Sequence, residues 1–196
     1  MDERLKRQIE FVIEADKMKT ILRRTVLIDQ TKRENDAEHS WHFALCAMVL
    51  YEYCDTLKVD LLRVLKMALI HDIIEIYAGD TFAFDDKANE DKNLREKSAA
   101  DKIFGILPDD QRDEYRALWE EFDAMQTDDA LFAASIDRLQ PLINNYLTEG
   151  HTWKLGDVPS KKVYQRISPL KDAAPKLWEF ADILIKDSLI KGYLKK

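Results

Sequence analysis

Glycine and proline are scarce in this chain, with five of each in 196 residues against a combined average of roughly 12%. A turn-dense β-sandwich or barrel needs more of both, and so does a disordered, linker-rich chain. Cysteine is scarcer still, at Cys46 and Cys54. Eight positions apart on one helix, they would sit about 12 Å from each other, whereas a disulfide needs Cα atoms within about 7 Å. They read as two reduced, half-buried thiols of a cytoplasmic protein. There is no C-x-x-C, no zinc-finger spacing and no apolar run near 18 residues. Positive charge is short as well: 30 Lys and Arg against 37 Asp and Glu leave a net charge of −7. That balance argues against duplex nucleic acid or an anionic membrane as a partner. The first residues, MDERLKRQIEFVIEADKMK, are too charged to read as a signal peptide.

What is present is helical. Hydrophobic residues make up 46% of the chain, and they recur every three or four positions. Residues 1–196 read as a single domain, all-α, with about seven or eight helices and no strand alternation. Ile9, Val12, Ile13, Met18, Ile21 and Leu22 stripe a first helix, and the basic segment 23–35 follows. A second helix starts near Asp36, whose carboxylate can cap it. The nearly continuous apolar run from Val59 to Tyr77 predicts one central helix, stopped by Gly79. Residues 80–87 and 150–159 read as loops. Further helices are expected over 91–105, 108–125, 128–146 (kinked at Pro141), after Ser160, and over 175–191.

The chemistry concentrates in a few places. His39 and His42 begin the second helix, and His71-Asp72 sits inside MALIHDIIEIYAG. Burying a carboxylate costs several kcal/mol unless it is paired or ligates a metal. Imidazole with carboxylate suits a mid-size divalent ion, although a salt-bridged pair explains an isolated His-Asp equally well. Glu75 lies one helical turn beyond His71, and Asp80 follows Gly79 directly. Asp137, in LFAASIDRLQPLI, is another carboxylate in apolar company. It reads either as a buried ion pair or as a further ligand. There is no H-E-x-x-H, Gly-rich phosphate loop or G-x-S-x-G.

The succession RENDAEH (Arg33 to His39), HDIIEIYAGDTF and SIDRLQPL resembles the HD-domain metal-dependent phosphohydrolases, and most of all the short branch that includes 5′-deoxynucleotidases. The resemblance spans about Arg23 to Leu147. It implies a helical bundle holding one divalent metal ion (manganese, cobalt, iron, zinc or magnesium) through His39, His71, Asp72 and Asp137. It also implies Glu75 and Asp80 as the acidic pair beside the reacting water. Arg24, fifteen positions before His39, matches the arginine that holds substrate phosphate, with Lys32 or Arg33 as possible companions. Where that branch has tryptophan next, this chain has Thr25.

The activity so implied is hydrolysis of a (deoxy)nucleoside 5′-monophosphate by a metal-activated water, in a homodimer. Competing readings are a hydrolase of nucleoside triphosphates or signalling nucleotides, and a non-catalytic, metal-stabilised binding module. Phe82 and Phe84 read as loop anchors that could also contact a base, and His42 as a packing or second-layer residue. His151 and Trp153 carry no functional case, and Trp41, Trp119 and Trp178 read as core or interface residues.

Overall fold

A computed structural model describes residues 2–54 and 57–196. Its helices of eight residues or more are α1 (Glu3–Ala15), α2 (Asp36–Leu50), α3 (Leu61–Ile70), α5 (Lys92–Phe104), α6 (Asp109–Ala124), α7 (Asp128–Leu147), α9 (Ser160–Ile167) and α11 (Pro175–Ile190). Three single turns complete the series: α4 (Glu75–Ala78), α8 (His151–Leu155) and α10 (Leu170–Ala173). The fold is therefore mostly helical, and α7 packs against α2, α3, α6, α10 and α11 at its centre.

Four local expectations need correction. The first helix does not reach Leu22: α1 ends at Ala15, a 3₁₀ turn covers Asp16–Thr20, and the chain then enters strand β1 (Leu22–Val26). Strand β2 (Arg33–Asn35) returns antiparallel, with Leu22 opposite Asn35 and Val26 opposite Arg33. More residues separate the pairs on β1 than on β2, so the ribbon carries a bulge and shows no clean alternation for a sequence reading to detect. Second, Asn35 caps α2 in place of Asp36. Its side chain accepts from the Glu38 backbone N–H at 2.9 Å, while Glu38 Oε2 accepts from the Asn35 N–H at 3.1 Å. The strand delivers Asn35 in an extended conformation, which a cap requires, and leaves Asp36 fully buried in the first turn.

Third, the central apolar run is broken. After α3 the backbone tightens to i→i+3 bonds, as in Ile73 N–H to Ile70 O (3.2 Å) and Glu75 N–H to Asp72 O (2.9 Å). His71 and Asp72 thus sit in a tight turn between α3 and α4, where their side chains leave the helix face. Gly79, at φ +75°, ends α4 in a conformation that favours glycine. Fourth, the 150–159 loop contains α8, whose Trp153 is buried. Gly150 makes that entry possible: its φ is +73°, and a Cβ there would lie 2.1 Å from the Tyr193 carbonyl.

Apolar side chains of α7 such as Phe132, Ile136 and Leu139 are essentially inaccessible, each worth about 1.5–3 kcal/mol of burial. That packing fixes α7 in the middle of the molecule and offsets the cost of the buried polar groups it also carries, Asp137, Gln140 and Asn144. Neither cysteine is in a disulfide. Trp119 is buried, Trp178 is partly buried, and Trp41 is 65% exposed. Among the described residues, no helix is long and apolar enough to cross a membrane.

Candidate metal centre and its cavity

Four side chains from α2, the α3–α4 turn and α7 converge at the base of one cavity. His39 Nε2 lies 2.9 Å from Asp137 Oδ1 and 3.8 Å from Asp72 Oδ2. His71 Nε2 lies 3.0 Å from Asp72 Oδ2 and 3.5 Å from Asp137 Oδ1. One ligand atom each from His39, His71 and Asp72 falls within a 4.8 Å span. His39 Nδ1–H donates to Gln140 Oε1 at 3.0 Å, and His71 Nδ1–H donates to the Ala68 carbonyl at 3.0 Å. The Gln140 amide is oriented by Glu34: Gln140 Nε2–H donates to Glu34 Oε1 at 2.9 Å.

These bonds decide which ring atom faces the centre. With Nδ1 carrying the proton, His39 Nε2 presents a lone pair to a carboxylate oxygen 2.9 Å away. In that tautomer two buried acceptors face each other, an arrangement that a metal ion between them would satisfy, as would a proton on Nε2. His71 Nε2, likewise buried, has no hydrogen-bond partner of acceptable geometry. Two imidazoles and two carboxylates form a donor set suited to manganese, iron, cobalt or zinc, so the residues fit a divalent ion.

A second layer of charge surrounds this cluster. Arg23, at the start of the basic segment 23–35, is the arginine that enters it. Its Nη1 lies 2.5 Å from Asp72 Oδ2 and 3.5 Å from Asp36 Oδ1, and its Nε lies 3.7 Å from Glu34 Oε2. Burial works against the Arg23 charge, but Asp72, Glu75 and Asp137 more than compensate and raise its pKa. Burial would also raise Asp72, yet His71 and Arg23 hold it below the usual carboxylate range. His71 is pushed up to about 10: Asp72 and Asp137 outweigh burial, which alone would lower it. Glu75 is raised well above its ordinary value by burial and by Asp72 and Asp36. Burial, then Asp72, moves Asp36 up to about 7. Asp80 is raised by burial, against the pull of Arg23.

The cavity above the cluster has a volume of about 200 Å³. Asp72, Glu75, Asp80 and Asp137 form its acidic floor, and Phe82, Phe84, Trp119, Phe122 and Trp153 contribute aromatic walls. Phe82 and Phe84 meet edge to face at 5.4 Å, and the Arg24 guanidinium lies 4.9 Å from the Phe82 ring centre. Arg95 pins the loop that carries them, donating to the Ala78 and Ala88 carbonyls at 2.9 Å each.

Arg24 therefore lines the cavity, but Lys32 and Arg33 do not. Lys32 pairs with Glu38 at the surface, and Arg33 turns back to the Arg23 and Leu22 carbonyls. The ribbon explains this: its bend sends neighbouring side chains in different directions, which the cluster of basic letters does not reveal. Gln140 holds the ring of a candidate ligand and also reaches His42 Nδ1 at 3.1 Å. The sequence signal for Gln140 is an amide three positions after Asp137, on the same face of the helix.

With this geometry established, the comparisons place the chain. A model of the HD domain matches residues 15–178, so the chain belongs to the HD-domain family. It is 33% identical over 112 residues to the 5′-deoxynucleotidase HDDC2 of Mus musculus, a match covering 57% of this chain and 54% of that protein. The 5′-deoxynucleotidase hdd1 of Schizosaccharomyces pombe is 25% identical over 167 residues, covering 83% and 74%. The chain thus matches about half the length of the mouse relative and about three quarters of the yeast one. A crystal structure described as a predicted metal-dependent phosphohydrolase from Magnetospirillum magnetotacticum MS-1 superposes with a TM-score of 0.92 at 49% identity, covering 98% and 99% of the two chains.

Proposed function

We propose that this chain is a divalent-metal-dependent phosphohydrolase that converts (deoxy)nucleoside 5′-monophosphates to nucleoside and phosphate, residues 1–196 acting as one catalytic domain. The observation that carries the reading is the convergence of His39, His71, Asp72 and Asp137 beneath a cavity walled by acids, arginines and aromatic rings. The family match and the names of the relatives support the same class of reaction. In this proposal the four residues hold one ion, which supplies positive charge against the phosphoryl group and acidifies water.

The chain's own residues do the rest. Hydrolysis forms a bond from water oxygen to phosphorus, breaks the bond to the 5′ oxygen, and requires a proton on that leaving oxygen. Burial and the carboxylates of Asp72 and Asp36 push the Glu75 carboxyl well above its ordinary value, which suits it to donate to the leaving oxygen. Asp80, more accessible at the cavity floor, takes the proton from the attacking water. Arg24 orders one wall by stacking on Phe82, and the aromatic walls suit a planar base. We further propose a cytoplasmic homodimer. Supporting the pairing, Trp41, Leu45, Met48 and Val49 leave an apolar stripe on α2 that is 41–65% exposed.

The test is phosphate release by manganese-loaded protein from a panel of nucleoside mono-, di- and triphosphates. Monophosphates are expected to turn over fastest and to yield inorganic phosphate. Exclusive turnover of triphosphates, or no turnover with metal bound, contradicts the proposal.

A further inference from the structure

We propose that Arg138 of α7 and Arg166 of α9 form an anion clamp on the wall of the cavity, and that its ligand is the phosphate group of the substrate. The choice of phosphate rests on the phosphohydrolase reading above; the clamp itself rests on geometry. Both side chains line the cavity that contains Asp72, Glu75 and Asp137. Arg166 Nη2 stands 3.8 Å from Asp137 Oδ2, so its guanidinium reaches the edge of the candidate metal centre. Arg138 Nη1 donates to the Arg166 carbonyl at 3.3 Å, which ties α9 to α7 and brings the two cationic side chains to one place.

Among the described residues, Arg138 has no direct ion-pair partner, and Asp137 and Asp123 act on it only from longer range. Its other contact is the weakly accepting Met125 Sδ at 3.0 Å, and its Nε is buried with no hydrogen-bond partner. Among the described residues, no carboxylate forms an ion pair with Arg138 within 4.0 Å. The remaining cations around the cavity are already engaged. Arg23 is bound to Asp72, Asp36 and Glu34, Arg24 stacks on Phe82, and Lys92 pairs with Glu96. Two adjacent guanidinium groups, one half-buried and short of acceptors, carry a cost that an entering dianion removes. Their planar forks match the oxygen spacing of a phosphate.

The experiment uses the full-length, manganese-loaded protein and R138Q, R166Q and R138K variants. Calorimetric titration with inorganic phosphate is paired with KM for a nucleoside 5′-monophosphate, and manganese affinity is measured alongside. R138Q and R166Q are expected to weaken phosphate binding at least tenfold and to raise KM in parallel, with manganese affinity within twofold of wild type. R138K recovers part of the loss. If R138Q fails to fold, R166Q decides, because Arg166 sits on a short outer helix and is more than a third exposed. Phosphate affinity within twofold of wild type in R166Q, or no phosphate binding by the wild-type protein, overturns the clamp. Wild-type nucleotide turnover with an unchanged R166Q removes the clamp and leaves the phosphohydrolase reading. Phosphate binding that depends on these arginines, without turnover of any nucleotide, keeps the clamp and removes the reading.

Discussion

Arg23 and Arg138 both project toward the same cavity from buried backbone, yet they sit in opposite electrostatic settings. Arg23 has three carboxylates within 3.7 Å. Arg138 touches a carbonyl and a thioether and has a second arginine nearby, with Asp137 and Asp123 acting only from beyond ion-pair distance. Burial and Arg166 push Arg138 down to about 10, whereas the carboxylates around Arg23 raise it. A cation surrounded by acids has its interactions made on folding and serves to hold those acids in place. A cation among poor acceptors has capacity left over for a ligand. Similar residues on one cavity therefore divide into a structural counter-ion and a candidate binding group, and the division lies in their neighbours.

The largest expected effect breaks the first half of this contrast. Arg23→Met strands Asp72, Asp36 and Glu34, and urea denaturation should show a loss of about 3–5 kcal/mol, whereas Arg166→Gln should cost under about 1 kcal/mol. Equal losses from the two substitutions would erase the distinction. Next in size is Gln140→Leu, which removes the acceptor that orients His39 without touching the centre itself. Manganese affinity should fall by about 10- to 100-fold, and a fall under twofold would show that Gln140 does not set the ring.

A smaller effect concerns pH. The Asp36 carboxyl is raised to about 7 in the fold, from about 4 in an unfolded chain. The folded protein therefore holds a proton that the unfolded chain releases. That contribution is complete below about pH 4 and is lost as pH rises through about 7. In metal-free protein, Asp36→Asn should gain stability relative to wild type as pH climbs from about 4 to 7, read from urea midpoints across that range. A constant difference would show that Asp36 is not perturbed. The smallest effect is expected for Lys32→Gln: an exposed pair with Glu38 contributes under about 1 kcal/mol, and phosphate affinity should stay within twofold. A tenfold loss would return Lys32 to the binding site.

Much of this arrangement was legible in the letters because the relevant residues violate their surroundings. His71, Asp72, Glu75 and Asp137 stand out as polar groups in apolar helical stretches, and the fold brings His71, Asp72 and Asp137 together with His39. The helical class followed from periodicity that α7 and α11 keep for 20 and 16 residues. The β1–β2 ribbon was not legible, since strands of five and three residues with a bulge are too short to show a period. The ribbon also decides where the basic residues of this segment point. On a bent ribbon, Arg23 points inward to Asp72 while Arg33 folds back on the backbone. Arg166 was invisible for a different reason: its proximity to Asp137 arises from α9 docking on α7, a contact between distant parts of the chain.

The central claim is that His39, His71, Asp72 and Asp137 together hold one divalent ion. Calorimetric titration of metal-free wild-type protein and of Asp137→Asn with manganese tests it most directly. One ion per chain in the wild type, and at least a 100-fold weaker affinity in a variant whose circular dichroism is unchanged, is the expected result. Equal affinity in the two proteins would contradict it.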